Sequence, residues 1–151
     1  MDINTYIARL RAVADNYTGY VYKELKESEN YVLRIPRLRM SISGTDANDK
    51  KISPLYAEST KKRKQRKGQR TSNVTLKDSG DLRSSFYLVR EGSAIDFRAG
   101  NFPYVNDLVS HYSGNELFGF SPKDEEEIYR IFIKPALEKL ISGDGIIDDI
   151  F

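Results

Sequence analysis

A chain of 151 residues is the size of one ordinary domain, long enough to bury roughly 70% of the surface its unfolded form exposes. It has no cysteine and one histidine, which excludes a disulfide framework, a thiol nucleophile, a cysteine zinc site and a histidine cluster. The net charge of +2 conceals two ends of opposite sign: residues 50–70 carry nine basic side chains and one acidic, whereas residues 123–151 carry eight acidic and four basic.

The opening, residues 1–17, is broken by charges and lacks the apolar core of a signal peptide, and no apolar run is long enough for a bilayer. The expectation is a single domain over 1–151, made in the cytoplasm and without a membrane partner. Tyr6, Ile7, Leu10, Val13, Ala14, Tyr17, Val21 and Leu25 recur at three- and four-residue steps, which predicts a first helix with Asn4 as its cap, a kink or break at Gly19, and its apolar stripe in the core. Over residues 31–42 the apolar positions Leu33, Ile35, Leu38, Met40 and Ile42 alternate with polar ones around Pro36, which reads as an edge strand interrupted by the proline.

Residues 44–50 read as a turn or loop. Residues 51–73 show neither period apart from a short helical turn near 56–60, which predicts an extended basic loop. Ser79-Gly80 then supplies a turn, with the glycine at positive φ. A strand is expected over 82–90 with Leu82, Phe86 and Leu88 inward, and its hairpin partner over 94–99 with Ile95 and Phe97 inward, joined at Gly92. Residues 104–112 read as a short helix ended by Gly114 in the left-handed conformation. The last helix opens with Ser121 as cap, Pro122 in the first turn and Asp124 completing a capping box, and three further carboxylates sit at the positive end of its dipole. It is expected to bury Ile128, Ile131, Phe132, Leu137, Leu140 and Ile141, to bend near Pro135 and to end near 142–143, leaving a C-terminal tail at 142–151.

No catalytic chemistry is legible. His111 has serines beside it in sequence but no base or orienter at a useful spacing, and there is no nucleophile elbow and no phosphate-cradling glycine loop. The carboxylates at 124–127 are explained as helix-start residues, and Asp78 and Asp81 as groups that hold turn amides. The reading is therefore a non-enzyme with no metal and no cofactor.

Four segments carry a stronger signal together than apart. KKRKQRKGQR at 61–70 is followed by VTLKDSGDLRSSF at 74–86, FPYVNDLVSHYSG at 102–114 and NELFGFSPKDEEEI at 115–128. In this order and spacing, over residues 54–140, the chain resembles the tail-completion or virion-morphogenesis proteins of tailed bacteriophages. The resemblance is carried by Leu76, Asp78, Ser79, Gly80, Leu82, Arg83 and Ser85, then by Tyr104, His111, Gly114, Phe118, Gly119 and Ser121, with the acidic residues 124–127 behind them. Ser79 stands where the family usually has threonine, and Glu116 where an arginine is usual.

The resemblance implies a structural virion protein, copies of which form a homo-oligomeric ring at the neck or the head-proximal end of the tail. Such a ring completes the tail or joins it to the capsid connector, with neighbouring neck, connector or tail-tube proteins as partners. The architecture expected is α+β: an antiparallel sheet of about four strands covered by the first and last helices, with the basic loop projecting. The residues expected at contacts between subunits or rings are Lys61, Lys62, Arg63, Lys64, Arg66, Lys67 and Arg70 of the loop and Asp81 and Arg83 around the turn. The acidic C-terminal region is expected as the counter-surface. In the tail, Ile146, Ile147, Ile150 and Phe151 are too apolar to stay in water, so it is expected to dock on its own sheet or in a groove of a neighbour, with Asp148 and Asp149 near that neighbour's basic loop. The competing reading is sequence-independent nucleic-acid binding through the same cations, including contact with genomic DNA inside the ring's channel. The run lacks the aromatic residues that would stack on unpaired bases.

Overall fold

The structure is a computed structural model and describes residues 2–142. Helix α1 (Ile3–Asp15) is followed by α2 (Tyr17–Glu27) and α3 (Glu29–Leu38), which widens into a π-helical turn at Arg39–Ser43. Next come α4 (Glu58–Arg66), the one-turn helix α5 (Asp81–Ser84) and the antiparallel strands β1 (Tyr87–Glu91) and β2 (Ala94–Arg98). Helix α6 (Pro103–His111) precedes α7 (Pro122–Ile128), which passes through a second π-helical turn, Tyr129–Ile133, into α8 (Lys134–Ser142). The class is α+β, with one two-stranded sheet among the described residues. No helix among them is long and apolar enough to cross a membrane.

The expected first helix is two helices, and the break falls at Asn16, not Gly19. The Asn16 amide donates to the Ala12 carbonyl at 3.2 Å, an asparagine competing with the backbone for a helix-ending bond. The cap is Asp2 in place of Asn4: its carboxylate accepts from the Asn4 and Thr5 amides at 2.9 and 3.0 Å. The stripe of α1 is not core. Val13 is its one buried residue, while Ile3, Tyr6, Ile7 and Leu10 are exposed, as is Tyr17 at the start of α2.

The expected strand over 31–42 is helical. Its alternating residues also satisfy a 3.6-residue period, and that period decides: Val32, Leu33, Pro36 and Met40 are buried, whereas Leu38 and Ile42 of the supposed inner strand face are exposed. Pro36 removes one donor from the ladder, and the helix relaxes into the π turn three residues later. Gly44 closes this turn at φ 60°, its N–H donating to the Arg39 carbonyl at 3.0 Å. A Cβ there would stand 2.6 Å from the Asn73 Cβ, so both the conformation and the close approach require glycine.

The hairpin forms as expected, with Leu88 opposite Phe97 and Glu91 opposite Ala94, leaving Gly92-Ser93 as the loop. Residues 81–84 are the turn of α5, so the strand starts later than the alternation suggests, although Leu82, Phe86 and Leu88 are all buried. Around the hairpin the core is aromatic: Phe86 and Phe97 lie 4.8 Å apart, and Phe118 and Phe120 meet them edge-on at 5.9 and 5.2 Å. Helices α2, α3 and α7 bury Val21, Leu25, Val32, Leu33 and Ile128 against this group. Among the described residues the sheet is two strands, not about four, and the interrupted edge strand expected over 31–42 is α3 and its π turn.

At the other helix ends, α6 stops at His111, and Gly114 is not among the residues with positive φ. The capping box at Ser121 forms as expected: Ser121 Oγ accepts from the Asp124 amide at 3.2 Å and the Asp124 carboxylate accepts from the Ser121 amide at 3.1 Å. Leu140 is buried as expected, but Ile131 is exposed.

Candidate functional site

The basic run is not a loop. Glu, Lys, Arg and Gln are good helix formers, and the sequence ESTKKRKQR forms α4, with Glu58 in its first turn paired to Lys61 at 3.0 Å. Five cations on nine residues repel one another, so the helix has to be held from outside. Lys64 does this: it is 4% exposed, its Nζ donates to the Lys77 carbonyl and to Gln69 Oε1, and it lies 4.7 Å above the Tyr56 ring.

The segment that receives Lys64 is itself tightly tied. Tyr56 Oη accepts from the Thr75 and Leu76 amides at 2.9 and 3.3 Å, and Leu76 sits at φ 52°, a strained conformation for a leucine. Lys67 pairs with Asp78 at 2.6 Å, and Gln69 donates to the Asp78 carbonyl at 2.6 Å. The Lys67 bond and charge hold the Asp78 carboxyl below its ordinary value.

The predicted contact residues therefore divide into two sets. Lys64 and Lys67 fasten α4, Lys61 is matched by Glu58, and Arg70 donates to the Ile42 carbonyl at 3.0 Å, satisfying an end of the π turn. Lys51 and Asn73 take the neighbouring carbonyls of Ser43 and Ile42 in the same way. By contrast, Lys62, Arg63 and Arg66 are exposed, and their side chains make no hydrogen bond or ion pair with the described residues.

Asp81 is exposed, its carboxylate accepting from the Ser79 hydroxyl at 2.7 Å, and Arg83 is used structurally. Arg37 Nε donates to the Arg83 carbonyl at 2.7 Å and Arg83 Nη1 donates to the Arg37 carbonyl at 3.4 Å, which fixes α5 to α3. Turn amides are not held by Asp78 or Asp81; Ser79 Oγ accepts from the Asp81 amide instead, at 3.3 Å. Gly80 has positive φ, as expected. Asp148, Asp149, Ile150 and Phe151 lie outside the described residues.

Beside α4, between the 76–82 turn and α6, runs a groove of about 430 Å³. Tyr56, Leu76, Leu82, Tyr104, Leu108 and Tyr112 make it largely apolar. Arg63, Lys64 and Lys77 stand along it against Asp78 and Asp81, and Asp78 is already taken by Lys67. A volume of this size lies within the range of ligand and peptide sites. His111, also on the lining, has its ring against Tyr112 at 4.7 Å and no catalytic partner in hydrogen-bond range among the described residues. No group of three or more metal-ligating side chains occurs among the described residues.

Two buried polar centres have no counterpart in the sequence reading. Arg39 pairs with Asp124, both side chains almost fully buried, so Asp124 is at once a capping residue and half of an ion pair. Asp46, 1% exposed, accepts from the Asn48 and Lys50 amides and from Asn115 Nδ2, each at 2.9 Å, and from the Glu116 amide at 3.3 Å. A turn over 44–50 is legible; that it anchors residues 115–116 is not, because nothing local encodes a bond across 69 positions.

Burial pushes the Asp46 carboxyl up, but the bonds from Asn115, Lys50, Asn48 and Glu116 outweigh it and hold it below the ordinary 3.8. The folded state thus binds this proton less readily than the unfolded chain. Its contribution is fully present above the unfolded value and is lost as pH falls through the lowered folded one. Asp46→Asn is expected to lose about 1–3 kcal/mol at neutral pH, with the gap to wild type closing in acid. Urea midpoints across pH 2–7, taken as a range of about that width, check both parts.

No family model matches the chain, and no curated protein or solved structure matches it either.

Proposed function

We propose that the chain is a structural virion subunit of a tailed bacteriophage, copies of which form a ring at the head-tail junction or the head-proximal end of the tail. The ring completes the tail or joins it to the capsid connector. What carries the reading is the ordered set of motifs over residues 54–140, to which the geometry adds one point. The basic run is presented on a helix fastened to the D-S-G-D-L-R turn, so Lys62, Arg63 and Arg66 stand in solvent on a fixed platform beside an apolar groove. Such a platform suits repeated contacts around a rotation axis, since charge complementarity sets register and heterologous faces close a ring. Its neighbours are further copies and neck, connector or tail-tube proteins, and it is made in the host cytoplasm without a membrane partner.

The second reading, sequence-independent nucleic-acid binding, is favoured by the same three cations, which lie on one helix and lack protein partners among the described residues. Exchange of Lys62, Arg63 and Arg66 for serine separates the two. Lys64 is retained because it is structural. The fold should survive within about 0.5 kcal/mol, and lysates of phage carrying the variant should contain heads and tails that fail to join. Normal joined particles would remove the cations from the assembly role. Binding of duplex DNA by the free wild-type chain at physiological salt, with a steep salt slope that the variant loses, would favour the second reading.

A further inference from the structure

We infer that the groove between α4, the 76–82 turn and α6 is the receiving site for residues 143–151 of a second copy. The inference rests on the ring reading and names the contact that would build the ring. Three properties of the groove select this occupant.

The first is its apolar floor. Leu76, Leu82 and Leu108 with the rings of Tyr56, Tyr104 and Tyr112 offer surface to branched and aromatic side chains. The segment G-D-G-I-I-D-D-I-F supplies four such side chains in nine residues, Ile146, Ile147, Ile150 and Phe151. The second is charge. Arg63 lines the groove, its charge reaching Asp78, and Lys62 and Arg66 stand nearby on the same helix; none of the three is in an ion pair among the described residues. Of the two acids on the lining, Asp78 is committed to Lys67. The segment carries Asp144, Asp148 and Asp149 and no cation, so it matches the groove in sign as well as in polarity.

The third is rigidity. The bonds of Tyr56, Lys64, Lys67 and Gln69 fasten α4 to the start of the 76–82 turn before any partner arrives, which lowers the entropic cost of binding a short segment. The exposed stripe of α1 is another apolar surface, with Ile3 and Tyr6 beside Ile141 in a shallow hollow. Asp2 and Glu138 flank that hollow, so its charge is the wrong one for this segment.

A segment given by each subunit to the next makes a head-to-tail contact, the kind that closes into rings when the rotation permits. The test uses the full chain with Phe151→p-benzoylphenylalanine, mixed as equal parts of ¹⁵N-labelled and unlabelled protein, irradiated, and mapped by mass spectrometry. Cross-links between copies onto Tyr104, Leu108 or the 76–82 turn are expected, and Arg63→Glu should lower their yield roughly fivefold. Cross-links within one copy, or onto Ile3 and Tyr6, overturn the inference. If sedimentation still shows an oligomer in that case, the ring reading stands and only the groove is wrong. Absence of both an oligomer and any cross-link between copies, with the variant still folded by circular dichroism, counts against both.

Discussion

Replacing Arg39 with methionine is expected to lower the unfolding free energy by about 3–5 kcal/mol, among the largest effects of any single exchange in the chain. The guanidinium is 6% exposed and the Asp124 carboxylate 4%, and Arg39 Nη2 also donates to the Gly119 carbonyl at 3.2 Å. Burial acts first on both partners, pushing the Asp124 carboxyl up and the Arg39 guanidinium down, so the pair is not itself a strong source of stability. Arg39 Nε is buried without an acceptor among the described residues, which weakens the pair further. The loss arises because methionine leaves a buried carboxylate with no counter-charge.

The sign with pH follows. In the variant the folded Asp124 binds its proton more readily than in the unfolded chain, so stability falls as pH rises through the raised value, and the deficit should shrink on acidification. Arg39→Met with Asp124→Leu should recover much of the loss, short of about 1 kcal/mol for the broken capping box. Urea unfolding of the two variants at neutral and acid pH tests this; a single variant as stable as wild type would show that the pair is solvated.

The second large effect is expected at Lys64. Lysines in a basic run are ordinarily interchangeable, and Lys62→Ala should change stability by no more than about 0.5 kcal/mol. Lys64→Ala should cost about 2–3 kcal/mol, since it removes a buried lysine that donates to the Lys77 carbonyl and stands above Tyr56. The loss should be local as well as global. Hydrogen exchange should show α4 and residues 74–78 losing protection while the β1–β2 hairpin keeps it. Equal and small effects at Lys62 and Lys64 would mean that α4 is not fastened as described.

What could be read from the chain follows the range of the interactions involved. The hairpin and the capping box at Ser121 are encoded within a few residues by turn and cap chemistry, and both were legible. Residues 31–42 read as a strand because their apolar positions fit period two and period 3.6 alike and Pro36 suits an edge strand. Only the burial of Val32 and Met40 together, with Ile42 left outside, separates the two. The basic run reads as a loop because it has no apolar face; its helix is fastened by Lys64 and Lys67, and no pattern distinguishes the buried Lys64 from its neighbours. Arg39–Asp124 and Asp46–Asn115 join residues 85 and 69 positions apart, beyond any local signal. For the candidate site the composition was visible, but the division into fastening cations and free ones was not.

The central claim is that the chain completes the junction between head and tail. It is tested most directly by electron microscopy of the particles made when its reading frame is deleted from the genome that carries it. Filled heads and separate tails are expected, with joining restored when the chain is supplied from a plasmid. Joined, infectious particles made without the chain would contradict the account.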